Sequence, residues 1–431
     1  MFGSSLTVGN VPNFEYQWID EVEKLERYQP GGYHPIHIGD ELADRYRVVH
    51  KLGYGTYSTI WLARDRHREV YVAIKINTAN APSCETGILH ALADSRSDHP
   101  GRAMIPSILD QFELQGPNGC HRCYVTSPAR SSVTAAKSCY LFTIETARAL
   151  VSQLILAVAY THARGFAHGD IHLGNALLRL PASFDQISTE EIYKEFGGPR
   201  TEMLVRLDGK PLPPNVPSYG VVPVWLGKQA NLISLREAHL LLSDFGEAFT
   251  PETQRRSCAE SHAPLPVSPP EVLFDPQGKL SFPSDIWTLA CAIWSIFGMR
   301  SLFDGTLATH HDIASQQIDT LGLSSFPSEW WNTWQERHEY FDNDGQPKGR
   351  RSVFPPLERS FEEEIQVVRR EEGMQEFDED EKMAIIGMLR SMLVYRPEKR
   401  ATADSVTRSE WMTNWGLPQL KKAQNLRSGS Y

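Results

Sequence analysis

Side chains that could carry out proton transfer and cation binding lie close together in the stretch His168-Gly169-Asp170-Ile171-His172-Leu173-Gly174-Asn175. The Asp170 carboxylate could accept a proton from a hydroxyl group. Asn175, five residues later, could offer its amide oxygen to a divalent cation. A buried Asp that caps a helix, followed by an Asn in a turn, is the alternative interpretation of the same residues.

The elements on either side of this stretch determine whether it can form a site. Upstream, residues 149–163 carry apolar side chains every three to four positions, which predicts a buried helix. Downstream, residues 176–178 form a short apolar run. We therefore expect a loop between a helix and a strand, with Asp170 and Asn175 facing a cleft.

A second candidate site lies nearer the N-terminus, where a glycine-containing turn joins two strands. Residues 45–51 alternate as a strand does and run into Leu52-Gly53-Tyr54-Gly55-Thr56-Tyr57-Ser58-Thr59-Ile60-Trp61-Leu62. Gly53 and Gly55 lack a Cβ, so a phosphate group could approach the backbone closely. An ordinary hairpin turn would also use glycine.

A lysine inside an apolar strand follows about twenty residues later. Lys75 lies within Tyr71-Val72-Ala73-Ile74-Lys75-Ile76, and buried lysines are rare unless they are paired. Glu85 is the best candidate partner, because it begins a run with apolar residues three, four and seven positions on. We therefore predict that Lys75 is a functional residue.

Further landmarks follow in a fixed order. They are the connection Thr126-Ser127-Pro128-Ala129, the triplet Asp244-Phe245-Gly246 after a strand at 238–242, Pro269-Pro270-Glu271, Ser284-Asp285 at the start of a buried helix, and Arg400. We expect Arg400 to form a buried bidentate ion pair with Glu271.

Taken together, these landmarks resemble the eukaryotic protein kinases and, among them, the SR-protein kinase family in its fungal form. The closest likeness lies in residues 31–40 (GGYHPIHIGD), in 51–62, in the turn at 116–119 and in 284–292. The resemblance covers about residues 28–415. It implies an α+β fold of two lobes, with a β-rich small lobe, a mainly helical large lobe and an ATP cleft between them.

The resemblance also implies roles for the candidate residues in phosphoryl transfer from ATP to Ser or Thr. Asp170 would be the catalytic base, Lys75 would contact the α- and β-phosphates, and Asn175 and Asp244 would hold Mg²⁺. His172 would lie beside the γ-phosphate. The residues expected to contact ATP are Leu52, Gly53, Tyr54, Gly55, Thr56, Tyr57, Ser58, Ile60, Ala73, Lys75, Glu85, Thr126, Ser127 and Ala129. The residues expected to support the site are His168, Glu271, Asp285 and Arg400.

Three positions depart from the family pattern. Gly169 stands where an Arg usually precedes the catalytic Asp, so control by phosphorylation of the activation segment is not expected. His172 replaces a Lys, which removes a fixed positive charge from the site. Ser127 replaces a common Glu of the connection between the lobes.

Length and composition set the frame for these motifs. The chain has 431 residues, 41% of them hydrophobic, with a net charge of −10, which suits a large globular protein and disfavours nucleic acid as a direct partner. We expect an extension at 1–27, a small lobe at 28–129, a large lobe at 130–417 and a flexible tail at 418–431.

A monomer is expected. No apolar run reaches 18 residues, so no membrane span is expected, and the six scattered cysteines favour a reducing compartment, cytoplasm or nucleus.

Two parts of the large lobe are unusual. Residues 181–238 contain several Pro and Gly and predict an irregular surface insert with one short helix. Residues 361–382 contain ten acidic and three basic residues, a net charge of −7. This acidic stretch is either a solvated, partly disordered surface or, as the family resemblance implies, part of a dock for Arg-rich substrates.

Three functions are compatible with the motifs. The first is a Ser/Thr protein kinase acting on proteins rich in Arg-Ser dipeptides, with a role in pre-mRNA splicing implied by the family. The second is a small-molecule phosphotransferase, because aminoglycoside and choline kinases share the His168-to-Asn175 pattern. The third is a non-catalytic scaffold, suggested by Gly169 and His172.

Overall fold

The structure is a computed structural model that describes residues 15–82, 84–93, 97–349 and 351–428. Its backbone divides into two compact units. Unit 1 comprises residues 1–82, 108–128 and 180–226, and unit 2 comprises residues 83–107, 129–179 and 227–431. Unit 1 is rich in strands and unit 2 is mainly helical.

The regular elements have the following bounds. The strands are β1 (Glu41–Leu42), β2 (Tyr46–Gly55), β3 (Ser58–Asp65), β4 (Val70–Asn77), β5 (Asp110–Gly116), β6 (Gly119–Thr126), β7 (Ala129–Ser132), β8 (Ala176–Arg179), β9 (Thr201–Met203), β10 (Tyr219–Val221) and β11 (Leu240–Leu242). The α-helices are α1 (Glu85–Leu92), α2 (Val133–Lys137), α3 (Ile144–Ala163), α4 (Thr189–Phe196), α5 (Glu271–Phe274), α6 (Phe282–Phe297), α7 (His310–Leu321), α8 (Ser328–Thr333), α9 (Arg337–Tyr340), α10 (Leu357–Phe361), α11 (Val367–Glu371), α12 (Glu379–Met392), α13 (Ala403–Thr407) and α14 (Leu417–Ser428).

Unit 1 is built on a six-stranded antiparallel sheet with the strand order β1-β2-β3-β4-β6-β5. Because successive side chains point to opposite faces of a strand, each central strand contributes to two cores. Val48, Trp61 and Val72 pack in one cluster, whereas their neighbours Val49, Leu62 and Tyr71 pack in another. The sheet is therefore covered on both faces.

The second face is covered by residues 180–226 of the insert, which corrects our assignment of this part to the large lobe, whereas residues 227–238 group with unit 2 as expected. Phe184, Ile192 and Leu226 pack against the β2–β4 residues of that face, so residues 180–226 belong to unit 1. The predicted short helix is present as α4, and Ser188 begins it with a capping box to Glu191. The sequence pattern missed the placement because a covering face contributed from far along the chain leaves no local periodicity.

The N-terminal extension, expected over residues 1–27, packs against the insert in its described part. Its described part, from residue 15 on, forms only one 3₁₀ turn, at Leu25–Arg27. Four apolar side chains of this part are buried with Leu204, Val216 and Val222 of the insert: Tyr16, Ile19, Val22 and Leu25. Residues 1–14 lie outside the described part of the chain.

Unit 2 is organised around two buried helices. The Ala- and Leu-rich helix α3 contains the predicted helix at 149–163, and Thr143 caps its N-terminus by accepting a hydrogen bond from the backbone N–H of Thr146. Helix α6 is buried along almost its whole length. Strands β7, β8 and β11 form a small antiparallel sheet beside them, in the order β11-β8-β7.

Helix α1 was expected in the small lobe, but the packing groups residues 83–107 with unit 2. The hydroxyl of Tyr160 on α3 donates to the carbonyl of Leu92. The backbone after α1 also lies so close to α3 that a Cβ at Gly101 would fall 1.9 Å from the Leu156 carbonyl oxygen. These contacts attach α1 to the helical unit.

Much of the acidic stretch, for which partial disorder was one of two interpretations, and most of the predicted flexible tail are helical. Residues 357–371 form one continuous helix, α10 and α11 joined by a π-helical turn, so the acidic stretch is not disordered there. Helix α14 occupies most of the predicted tail, with Leu420 and Ala423 buried, and Arg427 donates to the Ala238 carbonyl at 3.0 Å. Residues 429–431 lie outside the described part.

Within the described ranges, no helix combines the length and the apolar character that crossing a bilayer requires.

Candidate active site

The loop between α3 and β8 is held by a buried carboxylate at the start of α6. Asp285 accepts hydrogen bonds from the backbone N–H of His168 at 2.6 Å and from that of Gly169 at 2.9 Å. The His162 ring lies 2.9 Å from the same carboxylate. Asp285 therefore fixes the entry into the loop, as predicted, while His162 was not identified from the sequence.

The charge on Asp285 is stabilised by these contacts. Burial alone would raise the pKa of this carboxyl, but the hydrogen bond and positive charge of His162 and the Gly169 N–H hold it below its ordinary value. The folded state thus favours the carboxylate, which keeps two backbone donors in place.

The two residues predicted to do chemistry are brought together by this loop. The Asn175 side-chain amide donates to the Asp170 Oδ2 and to the Asp170 carbonyl oxygen, both at 3.0 Å. Asp170 Oδ1 is buried and has no hydrogen-bond partner among the described residues. One oxygen of the candidate base is therefore fixed and the other is left for a further group.

The Asp244-Phe245-Gly246 triplet lies against the same loop. The backbone N–H and the hydroxyl of Ser243 both donate to the Asn175 carbonyl oxygen, at 2.8 and 2.9 Å. The Phe245 ring packs on the His168 ring with centroids 4.8 Å apart. Asp244 follows in a left-handed conformation, with φ of 60°. These contacts place the backbone of Asp244 next to that of Asn175.

The His172 ring is part of the loop rather than a free substitute for a lysine. Its Nδ1 accepts a hydrogen bond from the Gly174 N–H at 3.0 Å, and its Nε2 lies 3.5 Å from Asp170 Oδ2. A Cβ at Gly174 would fall 2.6 Å from the ring. The imidazole thus reaches the candidate base, and any side chain at 174 would require the His172 ring to shift.

The structure explains why position 169 is a glycine, which the sequence alone did not. Its φ is +79°, and a Cβ there would lie 2.9 Å from the carbonyl oxygen of Glu247, so an Arg side chain does not fit this backbone. Glu247 in turn binds Arg256, which donates to its carbonyl oxygen at 2.8 Å, and lies 2.8 Å from His262 Nδ1. A carboxylate built into the chain therefore organises the segment after the triplet.

The ion pair predicted between Glu271 and Arg400 is present and buried. Two guanidinium nitrogens of Arg400 donate to the two carboxylate oxygens at 2.7 and 2.6 Å. The same guanidinium also donates to the backbone carbonyls of Val394 and Tyr395. With its donors satisfied in this way, the pair ties α5 to the C-terminal helices.

In unit 1 the predicted nucleotide residues lie on adjacent strands. Gly53 and Gly55 end β2 and pair with Ile60 and Ser58 of β3. Lys75 on β4 lies opposite Ile60 and Tyr124. The turn between β2 and β3 therefore adjoins the strand that carries the lysine. Ala73 on β4 pairs with Thr126, the last residue of β6.

The remaining predicted residues lie in different units. Ser127 closes the strand-rich unit, and Ala129 begins β7 of the helical unit. Lys75 belongs to unit 1 and Glu85 to unit 2, at the first position of α1. The pairing of Lys75 with Glu85, and the contacts of the whole set with ATP, stay predictions.

The donors in unit 2 suit a magnesium ion that is shared with a nucleotide. Asn175 and Asp244 would supply oxygen ligands, and Mg²⁺ is usually bound by one or two such groups with phosphate oxygens and water. Among the described residues, no three His, Cys, Asp or Glu side chains cluster as a complete metal site. Asn175 and Asp244 would hold the ion together with phosphate oxygens and water.

A cavity of about 360 Å³ lies between the candidate catalytic loop, α2 and residues 264–267. Its described ionisable lining residues are Lys137, Cys139, His172 and Arg300. Burial and the charge of Arg369 lower the pKa of Lys137 to about 7. Since none of these residues is a carboxylate, an arginine of a substrate would gain no ion pair from the described wall of this cavity.

Comparisons with known proteins find similarity to protein kinases. The protein kinase domain family model matches residues 228–412. A serine/threonine protein kinase of Aspergillus fumigatus is 26% identical over 406 residues, which cover 91% of this chain and 90% of the relative. Human SRSF protein kinase 3 is 34% identical over 168 residues, which cover 37% of this chain and 30% of the relative. The serine/threonine-protein kinase SRPK of Physarum polycephalum is 24% identical over 89% of each chain.

Over residues 228–412 the chain matches the protein kinase domain model, and over most of its length it is similar to Ser/Thr protein kinases that include SRPK. A solved kinase-domain structure with 17% sequence identity covers 88% of this kinase with a TM-score of 0.58. Its likeness shows the α+β bilobal kinase fold. The domain match and the curated relatives support an ATP-dependent Ser/Thr protein kinase of SRPK type.

Proposed function

We propose that this kinase transfers the γ-phosphoryl group of ATP to Ser or Thr in basic, Arg/Ser-rich proteins, including mRNA splicing factors. The observation that carries the proposal is the joined geometry of Asp170, Asn175 and Ser243. It sets a base, an amide oxygen and the backbone of Asp244 side by side. Phosphoryl transfer needs this combination of a hydroxyl acceptor and oxygen ligands for magnesium.

Each residue has a distinct part in this reaction. Mg²⁺ supplies charge neutralisation at the phosphates. Asp170 uses Oδ1 to accept the proton of the substrate hydroxyl, while Asn175 holds Oδ2 in place. Lys75 binds phosphate oxygens, and the glycine-rich turn covers them with its backbone. The backbone groups of Ser127 and Ala129 bind the adenine, with Thr126 behind it.

The charge distribution supports a basic substrate, because the chain carries a net charge of −10. The acidic stretch supplies part of this charge, but its carboxylates are not equivalent. Glu381 is fully buried and binds Arg148 and the Trp411 indole N–H, so it stabilises the fold instead of binding a peptide. The exposed carboxylates of the stretch that no described ion pair or hydrogen bond occupies are Glu371, Glu372 and Asp380.

The same reasoning applies to partners and compartment. A chain of this charge binds basic proteins without a direct nucleic-acid contact, and it acts as a monomer in the cytoplasm, the nucleus or both. The name of the human relative, SRSF protein kinase 3, supports substrates of the splicing apparatus.

The test is transfer of radiolabelled phosphate from ATP to an Arg-Ser repeat peptide. We expect transfer by the wild-type chain and a loss of at least about a hundredfold in kcat for Asp170→Asn, the usual contribution of a general base. Glu398→Gln, a change on the short turn after Tyr395, is the matched control and should keep its activity.

Other outcomes separate the alternatives. Binding of Mg²⁺-ATP without transfer to this peptide or to generic basic proteins would contradict the proposal and favour a small-molecule acceptor. If a thermal shift shows no stabilisation by Mg²⁺-ATP and no transfer occurs, the chain is a scaffold.

A further inference from the structure

The motif Gly31-Gly32-Tyr33 builds a tight turn at the end of the N-terminal segment, which we define as residues 15–33. Gly31 has a φ of +86°, and a Cβ at Gly32 would lie 1.8 Å from the Arg27 carbonyl oxygen. The Tyr33 N–H donates to that same carbonyl at 3.0 Å. Only glycine fits at 32, and the turn returns the chain so that Tyr33 enters the core of unit 1.

Tyr33 ends at the glycine-rich turn between β2 and β3. Its side chain is buried, with 3% exposure, and its hydroxyl donates to the Gly55 carbonyl oxygen at 2.7 Å. The Arg27 guanidinium lies 5.0 Å from the Tyr33 ring centroid and 5.9 Å from that of Tyr57. The tip of the turn is therefore attached to the N-terminal segment by a hydrogen bond and by cation–π contacts of Arg27.

A second attachment lies at the base of the turn. Glu23 forms an ion pair with Lys51, two residues before Gly53, and the Tyr28 hydroxyl donates to the same carboxylate. Both charged residues are almost fully buried. Burial lowers the pKa of Lys51 and the charge of Glu23 opposes that shift. A buried charge needs its partner, so Glu23 fixes the segment to β2.

The hydrogen bonds that the insert makes to β2 lie at Val49 and Lys51, before the tip of the turn. The Val224 N–H donates to the Lys51 carbonyl at 2.8 Å, and the Tyr193 hydroxyl donates to the Val49 carbonyl at 2.9 Å. Tyr193 and Tyr33 thus make the same kind of bond to the same strand, six residues apart. Of the two, only Tyr33 reaches the residues that would cover phosphates.

We propose that Tyr33 is a positioning residue that holds the glycine-rich turn ready for nucleotide. This inference rests on the proposed role of Gly53 and Gly55 in ATP binding. Two glycines at the end of β2 give this hairpin more conformational freedom than other residues would, and ordering it on binding costs free energy. The bond from Tyr33 to Gly55 restricts the turn beforehand, so part of that cost is removed from the binding step.

The test compares Tyr33→Phe with Tyr193→Phe in the full chain. Each variant loses one tyrosine hydroxyl bonded to a β2 carbonyl and keeps its ring. We expect Tyr33→Phe to raise the KM for ATP and the Kd for Mg²⁺-ATP by about three- to tenfold, the effect of one hydrogen bond, with little change in the KM for peptide. Amide hydrogen exchange across Tyr54–Thr59 should quicken in the nucleotide-free protein.

For Tyr193→Phe we expect a similar loss of thermal stability but unchanged ATP binding and unchanged exchange at the turn. Equal effects of the two variants on the KM for ATP would overturn the proposal, and so would unchanged exchange at the turn in Tyr33→Phe. A wild-type chain that binds no Mg²⁺-ATP would refute the proposed function instead. The exchange measurement would then still decide whether Tyr33 restrains the turn.

Discussion

At the scale of single residues, the departures from the kinase pattern are explained by their neighbours. Gly169 is required because the Glu247 carbonyl occupies the space of a side chain, and its backbone has a positive φ. His172 binds within its own loop and reaches Asp170 through Nε2. Neither change removes the carboxylate or the amide to which we assign roles in the proposed phosphoryl transfer.

Replacing Gly169 tests this explanation. Gly169→Ala should lower the free energy of unfolding by about 1–2 kcal/mol through left-handed strain alone. Kinase activity should fall as well, because the new Cβ displaces Glu247 and with it Arg256 and His262. Urea unfolding and peptide phosphorylation measure the two effects.

Gly165→Ala is the matched control, because Gly165 has a φ of +83° with no atom within 4 Å of its Cβ position. It should lose stability to the same degree and keep its activity. If Gly169→Ala keeps full kcat, Glu247 does not organise the following segment. Gly169→Arg, which restores the usual residue, should be less active than wild type for the same steric reason.

At the scale of elements, the N-terminal segment and the insert behave as parts of the strand-rich unit. Two neighbouring imidazoles, His34 partly exposed and His121 fully buried, lie where the chain leaves the N-terminal segment and meets β6. The His34 ring lies 4.8 Å from the His121 ring, and Gly116 leaves the space that His34 fills. Burial, followed by repulsion from His121, lowers the pKa of His34 to about 4, while Asp40 opposes this shift.

This pair predicts a pH dependence of stability. Since the pKa of His34 is lower in the folded chain than in the unfolded chain, the unfolded chain binds more protons between pH 6.5 and about 4. Stability should therefore fall as the pH drops through this window, by about 1–3 kcal/mol for a partly exposed group. Urea unfolding at stepped pH measures it.

The variant His34→Leu should flatten this pH dependence, whereas His67→Leu, at an exposed position, should not. A wild-type curve that is equally steep in His34→Leu would show that other groups dominate acid unfolding. Loss of the Asp285 carboxylate occurs at lower pH, because its pKa is also held below the ordinary value.

At the scale of the whole molecule, the negative charge is partly structural and partly available to a partner. Arg359, Arg370 and Lys382 bind several carboxylates of the acidic stretch. The cavity beside the catalytic loop adds no described carboxylate. A preference for Arg-rich peptides would therefore depend on exposed side chains of residues 371–380.

Neutralising those side chains gives a salt-dependent prediction. A variant with Glu371, Glu372 and Asp380 changed to their amides should raise the KM for an Arg-Ser peptide severalfold at about 0.05 M salt. The effect should shrink above about 0.5 M salt, where charges are screened within a few ångströms. The kcat should change little, because these residues lie away from Asp170 in sequence and form no described contact with it.

Glu190, Glu195 and Glu202, exposed on the insert, form the control set with the same change in net charge. An equal rise of the KM for the peptide in both variants would show that the effect comes from net charge in general and not from a docking surface at residues 371–380. Glu381→Gln should instead lower the melting temperature, since it leaves Arg148 without its buried partner.

The sequence by itself determined the order of the landmarks and predicted the chemistry that we propose for them. Asp170, Asn175, the Asp244 triplet and the Glu271–Arg400 pair could be predicted because short motifs specify local geometry and residue type. The buried helices could be predicted from the spacing of apolar residues, because those residues pack into the core of unit 2.

Only the tertiary structure decided where the irregular segments pack. The insert covers the sheet, the C-terminal tail is a helix, and Glu381 and Glu23 are buried. Partners of these segments lie tens to hundreds of residues away, so local pattern carries no signal for them. The fit of Gly169 against Glu247 and the bond from Tyr33 to Gly55 have the same cause: backbone approaches between distant segments exist only once the chain has folded.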